Sequence, residues 1–151
     1  MVKQLLRRRF RSERGAELIE LALVLPILLL VFAAIVDFGL MFQRYLTVSN
    51  AAREGARIAV LPGYGVTDIQ ARVTQYVREG TGDNTASPTA VLLPVTIDPD
   101  GAGANPGFPA AQVTVTMTHT YLFLGPVSGM LGGGSFSSIT LFARSTMRIE
   151  S

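Results

Sequence analysis

The chain has 151 residues, no cysteine, and 48% hydrophobic against 16% charged residues, an apolar excess beyond that of an ordinary soluble domain. Its formal net charge of +2 hides a split: residues 1–15 hold six basic side chains and one acid, the remainder seven basic and ten acidic ones. The basic balance therefore belongs to a short arm and is no sign of a nucleic-acid surface, and without cysteine there are no disulfides, thiolate metal sites or thiol nucleophiles.

The arm (Lys3, Arg7, Arg8, Arg9, Arg11 and Arg14) runs into a greasy stretch, and from Leu18 to Phe42 only Glu20 and Asp37 are charged. As a helix those residues extend about 37 Å, and a bilayer core needs about 20 residues, so one membrane-spanning helix is predicted. The positive-inside rule puts the N-terminus in the cytoplasm and everything after about Phe42 outside. Asp37 falls near the outer interface, where hydration is the simpler expectation and pairing inside a helix bundle the sharper one.

Beyond the apolar run, Phe38, Met41, Phe42, Tyr45, Val48, Ala52, Gly55, Ala56 and Ala59 keep helical spacing until Leu61-Pro62-Gly63 stops it. One helix is predicted from about Glu17 to about Val60, with a kink at Pro26, which cannot donate to the carbonyl of Ala22. Ala52, Gly55 and Ala56 form a small-residue face that lets another element approach closely, with the chain's own sheet as the expected neighbour. Arg53 and Arg57, four residues apart, form a basic strip that is expected to be solvated.

A second helix carries Val66, Ile69, Val73, Tyr76 and Val77 on one stripe. Thr67 and Gln70 have capping-box spacing, and Gly80 is the expected stop. Thr81–Thr89 reads as loop. The period then changes to two. Val91, Leu93, Val95 and Ile97 share a face of a strand that Pro94 confines to an edge. Gln112–Phe123 alternates, with Val113, Val115, Met117, His119, Tyr121 and Phe123 on the apolar side. After a Gly-rich loop with room for one helical turn (Gly125–Ser138), Ile139–Ile149 alternates again, with Ile139, Leu141, Ala143, Met147 and Ile149 inward and Arg144 and Arg148 outward. One-sided alternation implies an antiparallel sheet with one wet face, and the distal half of the long helix is the cover available to the dry one. The fold class is thus α+β: a long N-terminal transmembrane helix packed on a small antiparallel sheet, plus a short second helix.

The junction carries the most specific signal. Gly15-Ala16-Glu17-Leu18-Ile19-Glu20-Leu21 resembles the processing site of type IV pilins, in which a membrane peptidase cuts after the glycine and a glutamate stands fifth in the mature chain. A cut between Gly15 and Ala16 makes Glu20 that residue. Together with Ser49–Val60 ("SNAAREGARIAV"), the segment is similar to TadE-like minor pilins (pseudopilins) of the tight-adherence, or Tad, pilus system. Ala16 stands where classical type IV pilins usually have Phe, which favours the Tad branch. The resemblance implies a basic leader over residues 1–15, a transmembrane and extended helix over 16–61 and an exported domain over 62–151. It also implies, as partners, a prepilin peptidase, other Tad pilins and minor pilins, an inner-membrane assembly platform and membrane lipid. Incorporation in an extracellular pilus is the implied fate.

Physical chemistry adds a role for Glu20. A carboxylate in a low-dielectric bundle requires a partner, and the amine freed at Ala16 of a neighbouring subunit would supply one while setting axial register. Competing readings remain at this level: a secretory signal cut near Ala33, with Arg7-Arg8-Arg9-Phe10 giving a faint twin-arginine pattern, or a plain single-pass anchor carrying an exported binding module. No catalytic residue is expected. His119 stands without a second histidine or a triad, so the protein reads as no enzyme, with neither cofactor nor metal. Asp98-Pro99-Asp100-Gly101 reads as a turn lacking the later ligands of a calcium loop, and Gly132-Gly133-Gly134 lacks the lysine of a phosphate loop.

Overall fold

A computed structural model describes residues 2–97, 108–130, 132 and 137–149, with side chains from Gly15 onward. The elements are helix α1 (Val2–Ala59), helix α2 (Val66–Thr81), strand β1 (Thr89–Ile97), strand β2 (Phe108–Thr120), helix α3 (Leu124–Met130) and strand β3 (Ser138–Arg148). The Asp98–Gly101 turn, Gly133 and Gly134 lie outside the described residues.

Helix α1 starts at Val2, well before the expected Glu17, because the arm is rich in Leu, Arg, Lys and Gln and holds no proline. The helix continues without interruption through Gly15 and Pro26 and ends where Leu61-Pro62 was expected to end it. Among the described residues it supplies the one segment, Gly15–Ala59, long and apolar enough to cross a membrane. Its two halves face different surroundings. From Leu18 to Ile35 the large apolar side chains are exposed around the whole circumference, whereas Val48, Ala51, Ala52 and Ala56 are fully buried and Ile58 nearly so.

The buried half is one wall of the α+β domain that follows it. Helix α2 packs beside it through Ile69, Val73 and Val77, which are spaced four apart on one face. The sheet, in order β1-β2-β3 and antiparallel throughout, lies across both helices. Val113, Val115 and Met117 of β2 and Ala143 of β3 enter the same core. Each fully buried Val or Ile contributes about 1.5–3 kcal/mol of transfer free energy, so this cluster is the main source of the domain's cohesion.

Several local expectations are corrected. Helix α2 is capped by Gly65, whose N–H donates to the Asp68 carboxylate at 2.8 Å, and Thr67 and Gln70 do not form the box. It ends at Gly82, whose φ of 66° is left-handed, and not at Gly80. Gly80 instead meets α1: a Cβ there would stand 2.6 Å from the Cγ2 of Thr47. In β1 the packed face belongs to Ala90 and Leu92, opposite Val115 and Val113, while Val91 and Leu93 lie on the exposed face. Strand β2 starts at Phe108 and stops at Thr120, so Tyr121 and Phe123 leave its alternation. The Gly-rich loop opens with the helical turns of α3. Ile139, expected inward, is 40% exposed because it sits at the open end of β3.

Candidate functional site

The junction residues sit on the lipid-length part of α1. Gly15 is half-buried with open space where a Cβ would be, and Ala16 and Glu20 are exposed. Pro26 is also exposed, inside an unbroken helix. Among the described residues nothing covers Glu20, so its surroundings are set by whatever lies beside the helix.

At the other end of the apolar run lies a site that sequence reading misplaced. Asp37 is neither hydrated nor free for a bundle: its relative exposure is 0%. Its carboxylate accepts from three consecutive backbone N–H groups at the β2–α3 corner. Leu122 N–H donates to Oδ1 at 2.9 Å, Leu124 N–H to Oδ2 at 2.7 Å, and Phe123 N–H to both oxygens at 3.3 and 3.0 Å. Leu124 is the first residue of α3 and Leu122 and Phe123 lead into it, so a side chain from α1 holds the start of a helix more than 80 residues away in sequence. Charge-assisted bonds of this kind are about twice as strong as neutral ones. One turn further along α1, the Tyr121 hydroxyl reaches the Met41 sulfur at 3.6 Å.

The domain is thus clasped to α1 from Asp37 to Ala59. Strand β2 runs antiparallel to the helix, with Val113 beside Gly55, Tyr121 beside Met41 and Leu122–Leu124 on Asp37. Arg44 faces Asp83 just past the end of α2 at 3.8 Å, a loose and half-exposed pair. The Asp83 carboxyl is held below its ordinary range first by the Thr85 hydroxyl and then by the Thr85 N–H.

His119 lies between these contacts, 3% exposed, with neither ring nitrogen hydrogen-bonded and its ring edge-on to Tyr121 at 5.3 Å. Burial pushes its pKa below the ordinary histidine value; Arg44 pushes the same way and Asp37 opposes. It is a packed side chain, and its burial favours the neutral form.

The small-residue face is where the domain comes closest to the helix. Ala52 and Ala56 are fully buried, and a Cβ on Gly55 would stand 2.9 Å from Val73 and 3.1 Å from Val113. The basic strip is not simply solvated: Arg57 makes a bidentate pair with Glu54 at 2.8 and 2.7 Å, and Arg72 of α2 adds a third bond at 3.2 Å. Arg53 makes only a long contact with Asn50, at 3.4 Å.

With these positions fixed, the comparison with known families is specific. Residues 15–57 match the TadE family, described as TadE-like protein. This segment is TadE-like. The match opens at Gly15, takes in Glu20 and Asp37, and closes at Arg57, within the last turn of α1. No curated protein and no solved structure matches the chain. The TadE-like segment therefore comprises the lipid-length run and nearly all of the helical wall of the domain, while α2 and the sheet lie outside it.

The role of Asp37 was the main feature missed. The signal available was an acid about 28 Å along a helix from Leu18, a bilayer's thickness away, in a run that otherwise holds only Glu20.

Proposed function

We propose that the protein is a minor pilin-like subunit (pseudopilin) of a tight-adherence pilus. In this reading a prepilin peptidase removes residues 1–15, α1 anchors the subunit in the inner membrane with the domain outside, and the mature chain primes or caps the pilus. The match of residues 15–57 to the TadE family carries the proposal. Two features of the fold support it. The run from Ala16 to Phe32 is exposed on all sides, as a helix that exchanges lipid for neighbouring helices must be, and Glu20 is available to pair with the amine at Ala16 of another subunit. The protein acts by assembling and carries no chemistry of its own.

A second reading, an anchored binding module that never enters a filament, draws on one observation. A groove of about 510 Å³ opens beside the far end of α1, lined among others by Arg57, Ile58, Tyr64, Asp68, Arg72 and Gln75.

The deciding measurement is the mature N-terminus, by mass spectrometry of protein from membranes that contain an active prepilin peptidase. A chain beginning at Ala16 supports the pilin reading. An intact chain, beside a control substrate that is cut, sinks it in favour of the anchored module. Glu20→Ala is expected to be cleaved normally and to be lost from pilus complexes; normal incorporation would refute the register role of Glu20.

A further inference from the structure

The β2–α3 corner presents apolar surface to solvent: Leu122 is 61% exposed and Phe123 43%, and Met130, at the end of α3, is 89% exposed. Monomeric domains seldom leave such residues together without a reason. Their height along α1 is fixed, because the backbone N–H groups of Leu122, Phe123 and Leu124 sit on the Asp37 carboxylate. A helix rises about 28 Å between Leu18 and Asp37, and a bilayer core is about 30 Å thick. Nor does the lipid-facing surface of α1 end there, since Phe38 and Phe42 are 63% and 51% exposed. With Leu18 at the inner edge of the hydrocarbon and α1 upright, the corner comes level with the outer edge, the height at which Phe38 and Phe42 are also exposed. Arg44 and Asp83, the nearest charged pair of the domain, lie about a further 10 Å out along α1, at headgroup height.

We propose that this corner is a second membrane contact: Leu122 and Phe123 enter the outer leaflet beside α1, and Asp37 is the clasp that holds them there. The domain then rests on the bilayer at two points. Its tilt is set, and the subunit must draw the corner out of lipid as well as α1 when it leaves the membrane. Asp37 satisfies the corner's backbone donors, which hydrocarbon could not do. The proposal rests on the anchored reading of α1, and the test separates the two.

The chain has no cysteine, so single cysteines can be labelled cleanly in the full-length protein. A polarity-sensitive fluorophore would be placed at Leu122→Cys, at Phe123→Cys, at Leu25→Cys within the span and at Ala71→Cys on the far helix. The protein would be set in phosphatidylcholine–phosphatidylglycerol nanodiscs with and without lipid spin-labelled on the acyl chain, at a shallow and at a deep carbon. Blue-shifted emission at positions 122 and 123, with a loss of fluorescence to spin-labelled lipid comparable to that at 25 and none at 71, is the expected result. Quenching at 25 but not at 122 or 123 overturns the corner contact and leaves the anchor standing. Blue shift at 122 without lipid quenching also overturns it, because the apolar cover is then protein and not lipid. Absence of quenching at 25 removes the anchor and the proposal with it.

Discussion

Asp37 is the residue on which most of the tertiary structure near the membrane depends. Replacing it with alanine leaves three consecutive N–H groups without an acceptor, and a buried donor left unpaired costs about 1–3 kcal/mol. Asp37→Ala is expected to destabilise the domain by about 3 kcal/mol and to raise amide exchange at residues 122–124 before the sheet. Asp37→Asn keeps one acceptor oxygen and should fall between the two; chemical unfolding of the full chain in detergent, with exchange read by mass spectrometry, checks the order. His119 gives a pH test. Its folded pKa lies below the ordinary value near 6.5 because burial disfavours the cation, so the unfolded chain binds the proton first as pH falls. Stability from this residue is complete above about pH 6.5 and declines below it until the lower folded pKa is passed. His119→Phe, which removes two buried nitrogens that lack partners, should flatten that decline at no cost in stability at pH 7.5. An unchanged slope between pH 7.5 and 5 would assign the titration elsewhere.

At the scale of elements, Gly80 and Thr47 show how contact overrides propensity. Alanine in place of a helical glycine normally gains about 1 kcal/mol. Here the added methyl would stand 2.6 Å from Thr47 Cγ2, and Thr47 cannot swing aside without losing its bond to the Gln43 carbonyl at 3.1 Å. Gly80→Ala is expected to destabilise by about 1–2 kcal/mol alone and to stabilise in a Thr47→Ala background. Thermal unfolding of the four proteins in the cycle tests this, and additive changes would refute the contact. The same pair marks the limit of what local sequence discloses. Helices α1 and α2, the three antiparallel strands and the inward faces of β2 and β3 were legible, because periods of 3.6 and 2 are local properties. The caps of α2 were misread because Gly65 and Gly82 act through backbone geometry and Gly80 through its neighbour across the interface. The packed face of β1 also escaped, since Val91 and Leu93 look more apolar than Ala90 and Leu92 and only the register with Val113 and Val115 decides. Of the candidate site, Gly15, Ala16 and Glu20 stand together in sequence and could be read as a motif, whereas Asp37 takes its meaning from donors over 80 residues away.

For the whole molecule, α1 serves two media with one helix. Its first part offers lipid an apolar surface, and its second part gives the domain Val48, Ala51, Ala52, Ala56 and Ile58. The domain boundary therefore does not coincide with the helix end. A fragment that starts at Pro62 keeps α2 and the sheet but loses the wall on which Val73, Val113 and Val115 pack, and a sheet with one uncovered apolar face and a single helix has too little core to fold. A fragment that starts at Ala34 keeps Asp37, Met41, Thr47 and the buried small residues, and so retains both the clasp and the core. The expectation is cooperative unfolding and dispersed amide resonances for the fragment from Ala34, and neither for the fragment from Pro62. A folded Pro62 fragment would mean that the helix is only a tether. If it is instead the wall that packing indicates, motion of α1 in the membrane and orientation of the domain outside it are one rigid-body motion, because no flexible joint lies between Asp37 and Ala59.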